Sequence, residues 1–306
     1  MARDVVAVIT DSACGIAPQA AASFGVLVVP VSIEGGGESH RDGPVRSHAA
    51  ATMLGTAGAL RTAAPTVAEM ANLYRAAADS GADRIVAVMG GVTMSDAVTS
   101  AREAAPGSPI PVTVVDTGTV AVGQALAALA AGAVGIGGAS ADTIAGIAQE
   151  VGHRTQMYAT VETLEHFRRS GHARLLEDSL GGVEPMRPIL RVNRNEAAVV
   201  AQGRGEDGAR LAVRELVNRE ARSLRRPVGA VGLSGDSLDP EQISLDVEGP
   251  VLVMPSPMSI LANAGPGLFM AAATEMPEAF HRLFDRMTAR GDATDESLAW
   301  TRLERI

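Results

Sequence analysis

The chain contains no lysine, so all 26 of its basic side chains are arginine, set against 35 acidic ones for a formal net charge of −9. That absence excludes a P-loop and a Schiff-base enzyme, since both depend on a lysine amine. The acidic balance argues against a nucleic-acid binder, which carries a basic face and often aromatic stacking platforms. Aromatics are scarce too, with 1 Trp, 2 Tyr and 5 Phe among 306 residues. A lone cysteine, Cys14, permits no intrachain disulfide and no Cys-rich zinc site, which suits a reducing cytoplasm. The longest apolar stretch, Val120 to Ile136, is rich in Ala and Gly and falls short of the about 18–20 strongly apolar residues of a membrane span. No stable membrane insertion is expected. The opening MARDVVAVITDS is too short an apolar run for a signal peptide, and Asp4 and Asp11 bracket it.

What is present is a large aliphatic core. Apolar residues make up 46% and charged residues 20% of the chain, with 12 Met beside Ala, Val, Leu and Ile. At roughly 150 residues per domain the length predicts two domains. The first half alternates short β-branched runs with helical patterns. Strands are expected at Val5–Thr10, Val26–Ile33, Arg84–Met89 and Val112–Val115, with a Gly35-Gly36-Gly37 turn closing the second. Helices are expected at Ser47–Ala59, at Val67–Ala78 after the start signal Pro65-Thr66, and at Ser95–Ala105, Val120–Ala131 and Ala141–Gly152. Such alternation predicts a mostly parallel sheet with helices on both faces. The second half reads as a strand at Met157–Val161, a short helix at Leu164–Arg169 and a hairpin of Pro188–Val192 with Ala197–Gln202. A helix over Gly205–Leu224, strands at Pro227–Leu233 and Pro250–Met254, and helices at Gly267–Thr274 and Met276–Arg290 follow. The tail from Gly291 is polar, and a boundary near residue 155 gives an α/β domain over 1–155 and a mixed α/β domain over 156–306.

Three strands of the first half end in polar and small residues: Thr10-Asp11-Ser12, Met89-Gly90-Gly91 and Asp116-Thr117-Gly118. Ligands of open α/β sheets bind at the carboxyl ends of strands, so these loops are candidate site elements. Asp11-Ser12 reads either as a ligand or catalytic pair or as a helix cap. Cys14 reads as a small buried apolar residue in the absence of paired His/Asn spacing. GAVGIGG at 132–138 lacks the context of a dinucleotide loop and reads as a helix stop. The six histidines form no HxxxH or HxH pair, so neither a metal nor a cofactor is expected. No GxSxG elbow appears. Thr62 before a helix, Ser95 at a helix start, and Asn263-Ala264-Gly265-Pro266-Gly267 before an apolar helix offer hydroxyls and N–H groups suited to an anion. Each reads equally as an ordinary cap.

The opening VVAVITDSACGIAPQAAASFGVLVVPVSIEGGGESHRDG resembles the start of a DegV-family protein. Thr10-Asp11-Ser12, Val29-Pro30 and Asp42-Gly43 stand in the family's order. The likeness continues through Arg61–Pro65, Met94–Ala101, Val115-Asp116, Arg168–His172, Pro188-Ile189-Leu190 and Gly265-Pro266-Gly267. It implies a two-domain protein holding a long-chain fatty acid in an apolar tunnel between the domains. It also implies a role as the fatty-acid-binding subunit of a bacterial fatty acid kinase, which presents the carboxylate to a kinase subunit for acyl-phosphate formation in phospholipid synthesis and performs no chemistry itself. By position, the resemblance assigns Thr62 and Ser95 to the carboxyl group, with Asn263, Gly265 and Gly267 beside them. Arg168, Arg169, His172 and Arg174 fall on a possible docking surface. The chain departs from the family pattern at Ala63 (usually Ser), Asp96 (usually Gly), Asn263 (usually His) and His172 (usually Arg). Two other readings stay open: an enzyme acting on a small phosphorylated or carboxylated metabolite through Asp11, Asp116 and a histidine, and a lipid sensor without a kinase.

Overall fold

The computed structural model describes residues 4–35, 37–43, 60–169, 186–234 and 243–289. The expected helix Ser47–Ala59 and the tail from Gly291 lie outside the described residues. The first half supplies β1 (Val6–Asp11), β2 (Val26–Val29), β3 (Ser32–Gly35), β4 (Glu38–Arg41), β5 (Arg61–Ala63), β6 (Arg84–Met89) and β7 (Val112–Asp116). Four of them form a parallel sheet in the order β2-β1-β6-β7. Ile85 to Met89 of β6 are all buried, as the continuous apolar run of a doubly covered parallel strand requires.

The run Val26–Ile33, expected as one strand, is two. Pro30 has no N–H to give a ladder, and the chain leaves the parallel sheet there. β3 instead begins a small antiparallel sheet, β4-β3-β5. The helix Val67–Asp79 starts where Pro65-Thr66 signalled it. Thr66 accepts from the Glu69 N–H and the Glu69 carboxylate accepts from the Thr66 N–H, a reciprocal capping box.

The second half forms a six-stranded mixed sheet from β8 (Gln156–Thr160), β9 (Met186–Asn193), β10 (Glu196–Arg204), β11 (Pro227–Leu233), β12 (Val251–Pro255) and β13 (Phe269–Glu275). Its order is β10-β9-β8-β13-β11-β12, with only the β11–β12 pair parallel. The expected hairpin is β9–β10, turning on Arg194 and Asn195 at φ of 48° and 65°. The expected helix Gly267–Thr274 is corrected to β13, a central strand. Alanine's helix preference is worth only tenths of a kcal/mol per residue. Burial of Phe269 to Thr274 on both faces between β8 and β11 overrides it.

One helix, Ala121–Ile136, joins the halves. It packs on β1 and β6 of the parallel sheet and on β11 and β13 of the mixed sheet, and its residues from Ala121 to Ala133 are all buried. It runs past the expected end at Ala131 and stops in the glycines of the 132–138 segment, with Gly138 at φ 78°. Small side chains let the two sheets approach. A Cβ on Gly132 would sit 2.2 Å from the Phe24 carbonyl oxygen. No helix among the described residues is long and apolar enough to cross a membrane.

Candidate functional site

A cavity of about 470 Å³ opens where the carboxyl ends of the parallel strands meet the small sheet and the helix Met258–Ala264. Thr62, Ser95 and Asn263 all line it. Thr62 stands on β5 opposite Ile33, not at a helix start as its position suggested; Thr66 caps the helix. Asn263 Nδ2 donates to Thr62 Oγ1 at 3.3 Å and to the Ser259 carbonyl at 2.8 Å. Ser95 follows the tight turn at Gly91, whose carbonyl accepts from its N–H, and Ser95 Oγ accepts from the Ala97 N–H at 3.2 Å. It therefore holds the first N–H of the helix Ala97–Ala104 and keeps its own proton to donate. Asp96, also on the lining, is exposed.

Behind this rim lies a polar layer in which Asp11, Ser12 and Asp42 meet two residues that the sequence did not single out, Ser259 and Gln124. Ser259, in the first turn of Met258–Ala264, donates from Oγ to Asp42 Oδ2 at 2.5 Å and from N–H to Asp42 Oδ1 at 3.1 Å. Ser12 Oγ donates to the same Asp42 oxygen at 2.9 Å and accepts from the Val31 N–H. Gln124, on the central helix, donates to Asp11 Oδ2 at 2.9 Å and to Thr10 Oγ1 at 3.1 Å. Its Oε1 is buried without a partner among the described residues. Burial pushes the Asp11 and Asp42 carboxyls above the ordinary range, and the donors around each oppose that rise. The Asp42-Gly43 pair carried part of the family resemblance. Ser259 and Gln124 sit within apolar helical patterns and gave no signal.

A second, apolar chamber of about 100 Å³ adjoins the first. Met157 and Ala159 of β8, Leu190 of β9 and Met270 of β13 form one wall, and Phe167 another. The two cavities share Met94, Val120, Ile260 and Asn263. Residues of both halves of the chain thus line two adjoining cavities, one with polar groups on its wall and one almost wholly apolar.

The remaining candidates fall elsewhere. Gly265 and Gly267 do not line either cavity. They sit between the end of Met258–Ala264 and β13, so the helix start expected at this segment does not exist. Gly265, at φ 84°, packs so tightly that a Cβ would lie 2.4 Å from the His166 ring. Asp11 accepts from the Ala13 N–H, the cap alternative. Asp116 accepts from the Gly118 N–H at 2.9 Å and from Asn195 Nδ2 at 3.0 Å, tying the β9–β10 turn to the first sheet. Cys14 is buried, and desolvation raises its thiol well above the ordinary range. Arg168 and Arg169 end the exposed helix Glu165–Arg169, where Arg168 pairs with Glu165 and Arg169 meets His166 Nδ1 at 3.1 Å. His172 and Arg174 lie outside the described residues. No group of three or more metal-ligating side chains occurs among the described residues.

The model of the family described as "Uncharacterised protein, DegV family" matches residues 5–269. The chain belongs to the DegV family. A DegV domain-containing protein of Streptomyces coelicolor is 30% identical over 188 residues, 61% of this chain and 67% of the relative. A DegV family protein of Thermus thermophilus, whose structure was solved as that of a fatty acid binder, superposes with a TM-score of 0.79 at 24% identity, covering 90% of this chain and all of that one. DegV of Bacillus subtilis, likewise a fatty acid binding protein, gives a TM-score of 0.77 at 18% identity over 90% of this chain and all of that one. The two-part DegV architecture expected from the motifs is the observed fold, a parallel sheet with helices followed by a mixed sheet.

Proposed function

We propose that this protein binds a long-chain fatty acid, with the acyl chain in the apolar chamber and the head group at Thr62, Ser95 and Asn263. The observation that carries the reading is the juncture itself: polar groups from separate elements line one cavity, and an apolar chamber adjoins it through four shared residues. The fatty acids held by the relatives from T. thermophilus and B. subtilis support it. A 16-carbon chain carries about 14 methylenes, and at about 0.8 kcal/mol each full burial supplies roughly 11 kcal/mol gross. Ordering the chain removes several of these. Apolar burial therefore sets affinity and the rim sets orientation. The rim groups are neutral, so they hold a head group without the strong ion pair an arginine would make.

In this reading the protein is a cytoplasmic carrier without catalytic activity, and it offers the head group to a partner kinase for acyl-phosphate formation. The helix Glu165–Arg169 contributes Phe167 to the chamber wall and Arg168 and Arg169 to the adjoining surface, where an acidic partner would dock. Mass spectrometry of the denatured protein, purified from a bacterial host, should release a fatty acid. An empty protein that also fails to take up palmitate or oleate would remove the proposal. Pull-down of a fatty acid kinase subunit, lost on Arg168→Glu with Arg169→Glu, tests the partnership separately.

A further inference from the structure

We infer that the cavity takes its lipid with an uncharged head group that donates as well as accepts a hydrogen bond, so that a fatty acid enters as the carboxylic acid and not as the carboxylate. This rests on the lipid-binding reading and names the chemical form of the ligand.

The argument is an inventory of protons at the mouth. Ser259 Oγ directs its proton to Asp42, so toward the cavity it can only accept. Asn263 spends both Nδ2 hydrogens on Thr62 Oγ1 and the Ser259 carbonyl, which leaves Oδ1, an acceptor, as its remaining polar atom. Against the two acceptors Ser259 Oγ and Asn263 Oδ1 stand two hydroxyls with protons to give, Thr62 and Ser95.

A carboxylate only accepts, so it would meet the two donors and face the lone pairs of the other two groups. A carboxylic acid or a primary amide presents both a C=O for the hydroxyls and an O–H or N–H for the acceptors. Charge points the same way. No arginine or histidine lines the cavity among the described residues, and its one charged lining residue is Asp96. Asp42 and Asp11 stand directly behind the wall. Among the described residues no cation compensates the desolvation of an anion placed there.

The test uses the full chain freed of bound lipid, with calorimetric titrations in two buffers of different ionisation enthalpy. The ligands are hexadecanoic acid, hexadecanamide and hexadecane-1-sulfonate, an anion without a donor. Hexadecanamide should bind with the same affinity from pH 6 to pH 8.5. Hexadecanoic acid should lose about tenfold in affinity per pH unit above its own pKa, since only the protonated fraction is competent. It should take up about one proton per molecule bound. The sulfonate should bind at least about tenfold more weakly than the amide, the factor that one misplaced hydrogen bond costs. Ser259→Ala, which removes one acceptor from the rim, should narrow the preference for amide over sulfonate; a thermal melt checks that the variant folds. Equal binding of sulfonate and amide, or acid bound without proton uptake, overturns this inference and leaves the lipid reading intact. Binding of none of the three overturns both.

Discussion

The Ser259 hydroxyl donates to the Asp42 carboxylate across 2.5 Å, joining residues 217 positions apart in the chain. This contact pins the helix carrying Asn263 to the loop that follows the small sheet. Asp42→Ala would leave the Ser259 N–H and two buried hydroxyl protons without their acceptor. At about 1–3 kcal/mol for each unsatisfied group, partly relieved by water, the expected loss is about 3 kcal/mol in urea denaturation. Asp42→Asn keeps the shape and should cost less. Equal stability of Asp42→Ala and the parent would mean that Asp42 does not organise the mouth.

The apolar chamber predicts a chain-length effect. Ala159 is buried on β8 and lines the chamber. Ala159→Leu places an isobutyl group where three or so methylenes of the ligand would lie. Palmitate should weaken by about 2 kcal/mol, at about 0.8 kcal/mol per displaced methylene, while a C8 acid changes little. Displacement of a fluorescent fatty acid measures both. A uniform loss across chain lengths would place the acyl chain elsewhere.

His281 sets a pH dependence. Its ring is buried, Nε2 has no partner among the described residues, and desolvation followed by the nearby Arg226 holds its pKa below 6.5. The unfolded chain then binds a proton that the folded chain refuses. Stability from this group is complete above about pH 6.5 and is lost as pH falls below it. Asp11 and Asp42 act in the opposite sense: their raised pKa values favour the fold at acid pH, and that contribution is lost as pH rises through them. Chemical denaturation at pH 7.5 and pH 5.5 should show a smaller acid-side loss in His281→Leu than in the parent.

Two glycines in helices should respond oppositely to alanine. Gly132→Ala drives a methyl into the Phe24 carbonyl, and overpacking of this kind costs about 1–3 kcal/mol. Gly146, exposed in the helix Ala141–Arg154, has nothing within 4 Å of a new Cβ. Gly146→Ala should gain about 0.5–1 kcal/mol from lower unfolded-chain entropy and better helix propensity. Thermal melts of the pair distinguish tight packing of the central helix from a general intolerance of substitution.

Much of the first half was legible because its signals are local. Pro65-Thr66 marks a helix start within two residues, and the β-branched runs of β1 and β6 fit only a doubly covered sheet. Phe269–Glu275 misled because three consecutive alanines carry little intrinsic strand character, and its identity comes from flanking strands far away in sequence. Family likeness pointed to Thr62, Ser95 and Asn263, which do share a cavity. It could not reveal Ser259 or Gln124. Their importance lies in which atom each proton faces, a matter of three-dimensional contact across more than a hundred positions.

The central helix is walled in by a sheet on either side, and a single methyl added at Gly132 already collides with backbone. Such a spine has no freedom to widen or narrow the compartment beside it. In the proposed reading, room for a bulkier or slimmer chain is therefore adjusted on the facing strands, at positions such as Ala159, Leu190 and Met270, and not on the spine. If the proposed lipid binding holds, selectivity for lipid size is thereby separated from the device that holds the two lobes together.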